Sequence, residues 1–131
     1  MIKAVTYILE NNATVQGLVG LRASSASDYK VFPVVVPQSE KAPYIAVRLS
    51  GKSSLGKGCG YNYTVEVASY HTSYDDVTTL NAAVITALTG QARGTVNGVA
   101  FGALNFSNES DDFAKDHGLY AKVTTFEGWA D

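Results

Sequence analysis

The chain has 131 residues, 46% of them hydrophobic and 17% charged, with 10 Lys and Arg against 12 Asp and Glu and a formal charge of -2. This composition excludes the low-hydrophobicity, high-charge disordered class, and the scattered basic residues form no footprint of the kind that neutralises phosphates, so tight nucleic-acid binding is not expected. A single cysteine, Cys59, excludes an internal disulfide, and no apolar run approaches the ~20 residues of a membrane helix.

One domain spanning residues 1–131 is expected from length, and a chain of this size can bury one real core. The start, Met1 to Glu10, has one basic residue but no long apolar stretch or small-residue cleavage site, so no signal peptide is expected. Ile2, Val5, Ile8 and Leu9 fall on one helical face. Asn11-Asn12 offers a stop, and a short further turn through Val15, Leu18 and Val19 follows. Residues 22–30 are small and polar and read as a loop. Val31 to Pro37 is extended, and its prolines restrict it to an edge or crossing role. After a turn over 38–43, Tyr44 to Leu49 reads as a strand. Residues 50–60, rich in Gly, Ser and Lys, read as a loop.

Tyr61 to Tyr70 has the clearest strand pattern: Tyr61, Tyr63, Val65 and Val67 alternate with Asn62, Thr64 and Glu66. Ser73 with Asp76 three residues on resembles a capping box, and Asp75 and Asp76 suit the positive end of a helix. Val77, Leu80, Val84, Ile85 and Leu88 continue that helix, and Gly90 fits its stop. Val96-Asn97-Gly98-Val99 is a two-residue hairpin signal. A strand through Phe101 to Phe106 follows, then an acidic loop over 108–118 and a last strand from Leu119 to Phe126. The expected class is α+β: an antiparallel sheet of about four to five strands with two helices packed on one face.

Few residues suggest chemistry. Gly51-Lys52-Ser53-Ser54-Leu55-Gly56-Lys57 matches the opening of a phosphate-binding loop. Gly58 stands where the magnesium-holding Ser or Thr belongs, and a strand pattern follows where a helix is required. His71 lies near Asp75 and Asp76, but no Gly-x-Ser-x-Gly elbow accompanies it. Asp111, Asp112, Asp116 and His117 match neither calcium-loop nor zinc spacing. Cys59, between glycines, has no base marked beside it. Tyr61, Tyr63, Tyr70, Tyr74 and Tyr120 lack interleaved basic residues, so sheet packing or a protein interface accounts for them better than base stacking. The pattern points to a structural or binding protein, not an enzyme, and to no cofactor.

Taken together, several segments resemble the tail completion, or tail terminator, proteins of long-tailed phages. They are the helix ending in Val15-Gln16-Gly17-Leu18-Val19-Gly20, the run Phe32-Pro33-Val34-Val35-Val36-Pro37-Gln38-Ser39 leading to Ala42-Pro43-Tyr44-Ile45-Ala46-Val47, the strand Tyr63-Thr64-Val65-Glu66-Val67, the helix from Tyr74-Asp75-Asp76 to Ala87-Leu88-Thr89-Gly90, and the closing strand Leu119 to Phe126. The run with Pro37-Gln38 and then Pro43-Tyr44-Ile45 is the most specific part. Residues 50–60 and 108–117 match no feature of that family.

The resemblance implies a virion protein at the head-proximal end of the tail, assembled in the bacterial cytoplasm. It implies a ring of identical copies, typically a hexamer, that caps the tail tube and meets a head-completion or connector protein. DNA would pass through without tight binding, and no membrane is involved. The two unmatched segments are the expected assembly-interface loops, with Lys52, Lys57, Glu109, Asp111, Asp112 and Asp116 as their charged residues. A head-completion or tail-tube protein is the neighbouring alternative. A small ligand- or peptide-binding module or a minor hydrolase is the alternative from another class.

Overall fold

The computed structural model describes the chain except residues 24–26, 90–93, 97, 103, 116 and 131. Among the described residues, three helices and seven strands follow one another as α1 (Ile2–Glu10), α2 (Ala13–Val19), β1 (Val31–Pro33), β2 (Tyr44–Ser54), β3 (Tyr61–His71), α3 (Tyr74–Thr89), β4 (Gly94–Val96), β5 (Val99–Phe101), β6 (Asn105–Ala114) and β7 (Leu119–Ala130). The α+β class is as expected.

The body of the sheet runs β1-β2-β3-β7-β6. The short β4–β5 hairpin joins the far end of β7, on the side where β6 pairs. β7 is the hub: β3 pairs along its whole length from Tyr61↔Ala130 to His71↔Tyr120, and β6 pairs on its other side from Asn105↔Glu127 to Ala114↔Leu119.

The helices form one layer on one sheet face. Ala4, Val5, Ile8 and Leu9 of α1, Val15 and Val19 of α2, and Leu80, Val84 and Leu88 of α3 meet Ile45, Val47, Val65, Val67 and Phe126 of the sheet in a single core. Period-two alternation makes this possible, since every second residue of β3 faces the helices. Burial of these side chains at roughly 25 cal/mol per Å² is the main stabilising term. The two asparagines at 11 and 12 end one helix and begin the next: Asn11 caps α1, and the Asn12 side chain accepts from the Val15 N–H at 3.1 Å. At the start of α3, the Ser73 carbonyl accepts from the Val77 N–H at 3.0 Å.

One polar node lies inside this interface. The Thr124 hydroxyl donates to Asn81 Oδ1 at 2.9 Å and Ser69 Oγ lies 3.4 Å from the same oxygen, all three residues being buried. Asn81 Nδ2 has no hydrogen-bond partner among the described residues. Exchanging the amide's N and O would instead let Nδ2 donate to the two hydroxyls.

The structure corrects the expected layout in five places. The strand expected through Phe101 to Phe106 is divided between the end of β5 and the start of β6, with Gly102 and Leu104 in neither. β1 pairs with β2 in parallel, through Val31↔Ile45 to Pro33↔Val47, so the sheet is mixed. Residues 34–43 carry the chain back to the start of β1 before β2 begins, and β1 keeps the edge position that its proline, Pro33, demands. The short turn after Asn12 is a helix of its own, α2. β2 runs on through Lys52 to Ser54 past a bulge between Leu49 and Gly51, leaving only 55–60 as loop. The acidic segment placed in a loop is strand β6, with turn residues among the described ones only at 115, 117 and 118. Gly90 and Asn97 lie outside the described residues. Around Asn97, Val96 pairs with Val99 as a two-residue hairpin requires, and Gly98 takes φ 80°.

Candidate assembly interface

Two parts of the sheet reach beyond the packed core. The first is the end of the β2–β3 hairpin, where residues 52–59 are all exposed. Backbone pairing from Gly51↔Thr64 to Ser54↔Tyr61 holds this arm together. The end of β7 anchors its base: Trp129 Nε1–H donates to the Cys59 carbonyl at 2.7 Å. Gly60 is required there. It takes φ +81°, and a Cβ would lie 2.6 Å from Trp129 Nε1 and 2.9 Å from the Ala130 carbonyl oxygen. The Lys52 ammonium sits over the Tyr61 ring, 4.0 Å from its centroid, and 5.5 Å from that of Tyr63. Lys57 is exposed near the tip, beside Leu55, which is also exposed.

The second part is β6. It pairs with β7 along one backbone edge, and among the described residues no strand pairs with the other. Asn105 to Phe113 are all exposed. Past the bulge at Ser107, side chains alternate: Glu109, Asp111 and Phe113 stand on the helix side, Asn108, Ser110 and Asp112 on the other.

Lys122 is the centre of the helix side. It is 7% exposed. Its ammonium donates to Asp111 Oδ1 at 2.6 Å, lies 3.2 Å from Glu109 Oε1, and donates at 3.4 Å to the Tyr74 hydroxyl, which itself donates to Asp111 Oδ2 at 3.0 Å. The hydrogen bond to Asp111 raises the Lys122 pKa well above its ordinary value. The same bond, with that from Tyr74, lowers the Asp111 carboxyl below its ordinary value. Tyr120 packs between Phe113 and Tyr74, with ring centroids 4.8 and 5.8 Å away. Charge and aromatic contact thus stitch an otherwise exposed strand to β7 and to the first turn of α3.

The interface residues expected from sequence therefore divide. Lys52 and Lys57 lie on the arm, Lys52 within β2. Glu109 and Asp111 are committed to Lys122, Asp112 faces the other way, and Asp116 lies outside the described residues. Lys122 and Trp129 were not singled out from sequence, and Tyr74 was read only among the tyrosines assigned to sheet packing or a protein interface. The signal for Lys122 was its place in the inward series Lys122, Thr124, Phe126 of β7, where a lysine requires a partner.

The chemical candidates do not assemble. A strand, not a helix, follows the phosphate-loop look-alike. His71 Nδ1 accepts from the Thr72 N–H at 2.9 Å and lies 4.0 Å from Asp76, while the buried Ser69 hydroxyl faces Asn81. Asp111 and Asp112 point to opposite faces of β6, which prevents them from sharing a cation. Among the described residues no group of three His, Cys, Asp or Glu side chains is placed to hold a metal.

No protein-family model and no curated protein sequence matches the chain. Among solved structures, the chain is similar to one from the virion of a native gene transfer agent particle. The TM-score is 0.76 at 18% identity, and the match covers 99% of this chain and 93% of that one. The two chains share one fold over nearly their whole length.

Proposed function

We propose that this chain is a structural virion protein that closes the head-proximal end of a phage-type tail and joins it to the head. The observation that carries the reading is the fold it shares, end to end, with a chain of a gene transfer agent virion. The element order that resembles tail terminators supports the finer role. So do two exposed sheet margins that a solitary protein would normally blunt or cover. On this reading the working partners are further copies of the chain in a ring, a tail tube protein below and a connector protein above. The work is done by surfaces, without catalysis or cofactor. A net negative charge without a basic stripe suits a passage through which DNA moves without sticking.

Deleting the chain's coding sequence from the particle that carries it tests this. Filled heads and separate, headless tails are expected in electron micrographs, with whole particles restored by supplying the protein. Whole particles in the deletion would overturn the reading, and tubes built from the purified chain would favour the tail-tube alternative.

A further inference from the structure

The two exposed margins are complementary to each other. Residues 51–60 of the arm hold Lys52 and Lys57 and no acid, whereas residues 105–114 of β6 hold Glu109, Asp111 and Asp112 and no base. Each also has a free backbone edge. β1 pairs only with Ile45, Ala46 and Val47, so the outer edge of β2 lacks a neighbouring strand from Arg48 onward among the described residues. β6 is in the same condition along its 10 residues. Exposed apolar side chains accompany both: Leu55 on the arm, Phe106 and Phe113 on β6.

The margins cannot satisfy each other within one chain. β3 and β7 stand between β2 and β6, which form opposite sides of the sheet body. They can meet only between copies.

We propose that the basic arm of one copy, Arg48 to Lys57, docks edge to edge along the acidic β6 of the next, continuing the sheet from copy to copy. The occupant of each margin is a second copy of this chain. Backbone hydrogen bonds supply the contact and the opposed charges its polarity. Two different patches meet, so the contact is head to tail, the type that closes into a ring when the rotation per copy allows it. Like edges repel, acid to acid or base to base, which disfavours symmetric dimers. The inference rests on the reading of the chain as a self-assembling virion protein.

A charge swap with the purified full chain tests it. One variant carries Lys52→Glu and Lys57→Glu. The other carries Ser110→Lys and Asp112→Lys, chosen on the β6 face away from Lys122 so that its ion pairs survive. Light scattering behind size-exclusion chromatography, across a concentration series, should show the wild type above the 13.9 kDa of one chain. Each variant alone should fall to that mass: in the first both margins are acidic, and in the second Glu109 and Asp111 stay paired with Lys122 while the outer face of β6 presents two lysines to a basic arm. An equimolar mixture should recover assembly, because each variant's arm then meets an opposite edge on the other. A wild-type circular dichroism spectrum and a single cooperative thermal transition in each variant exclude misfolding as the cause.

Three outcomes overturn the proposal: a wild type that stays monomeric throughout, a single variant that assembles as well as the wild type, or a mixture as defective as its components. None of them touches the deletion phenotype, which decides the tail-closing role separately.

Discussion

β3 and β6 flank the same strand, β7, and are almost equally long, yet they are held by different forces. β3 places Tyr63, Val65, Val67 and Ser69 under the helical layer. β6 has no buried side chain among residues 105–113 and is kept in place by its ladder to β7, the Lys122 cluster and the rings of Phe113 and Tyr120. A strand can be specified by an apolar face or by what its neighbour offers. The second kind can open without dismantling the core, because little apolar area is lost when it does.

That contrast can be broken at several points. The largest effect is expected at Phe126, fully buried beneath the helices. Phe126→Ala should cost about 3–5 kcal/mol in urea unfolding and destabilise all elements together. Next is Asn81. Asn81→Ala leaves the Thr124 and Ser69 hydroxyls without their buried acceptor and should cost about 1–3 kcal/mol, whereas adding Thr124→Val to that variant should recover part of the loss.

Lys122→Met keeps the stem's volume and removes the charge. Amide exchange within β6 should accelerate about tenfold or more while β3 stays protected, since the change falls on local opening. Equal acceleration in both strands would mean that β6 and the core are one cooperative unit. The smallest effect is that of pH. The Asp111 carboxyl is lowered by the hydrogen bond from Lys122 and then by that from Tyr74. Its contribution is therefore complete above its unfolded value and fades as pH falls below about 4. The protection of β6 amides should follow that fall, and Asp111→Asn should abolish the dependence.

The same contrast explains what was legible beforehand. The apolar faces of α1, α3 and β3 could be read from spacing because burial selects residues at fixed intervals. Ser107 to Asp112 contains no apolar residue, and Gly51 to Ser54 contains none either, so nothing in side-chain periodicity marks either as a strand. Both extend because an adjacent strand offers them a ladder, β7 in one case and β3 in the other.

The candidate interface was legible as two charged segments but not as strands. Nor was Lys122 legible as the partner of Glu109 and Asp111, since 11 residues separate it from Asp111 and only the hairpin register places the two opposite each other. The parallel β1 was hidden for a similar reason: strand direction depends on where residues 34–43 travel, which local pattern does not record.

The contact at the base of the arm also provides a built-in optical gauge. The chain has one tryptophan and one cysteine, and the indole of the first donates to the backbone carbonyl of the second. Emission from Trp129 therefore reports on this joint alone, and a dye on the exposed Cys59 thiol would quench it at very short range. Movement of the arm, on docking or on release, could be followed in real time in the otherwise unaltered protein.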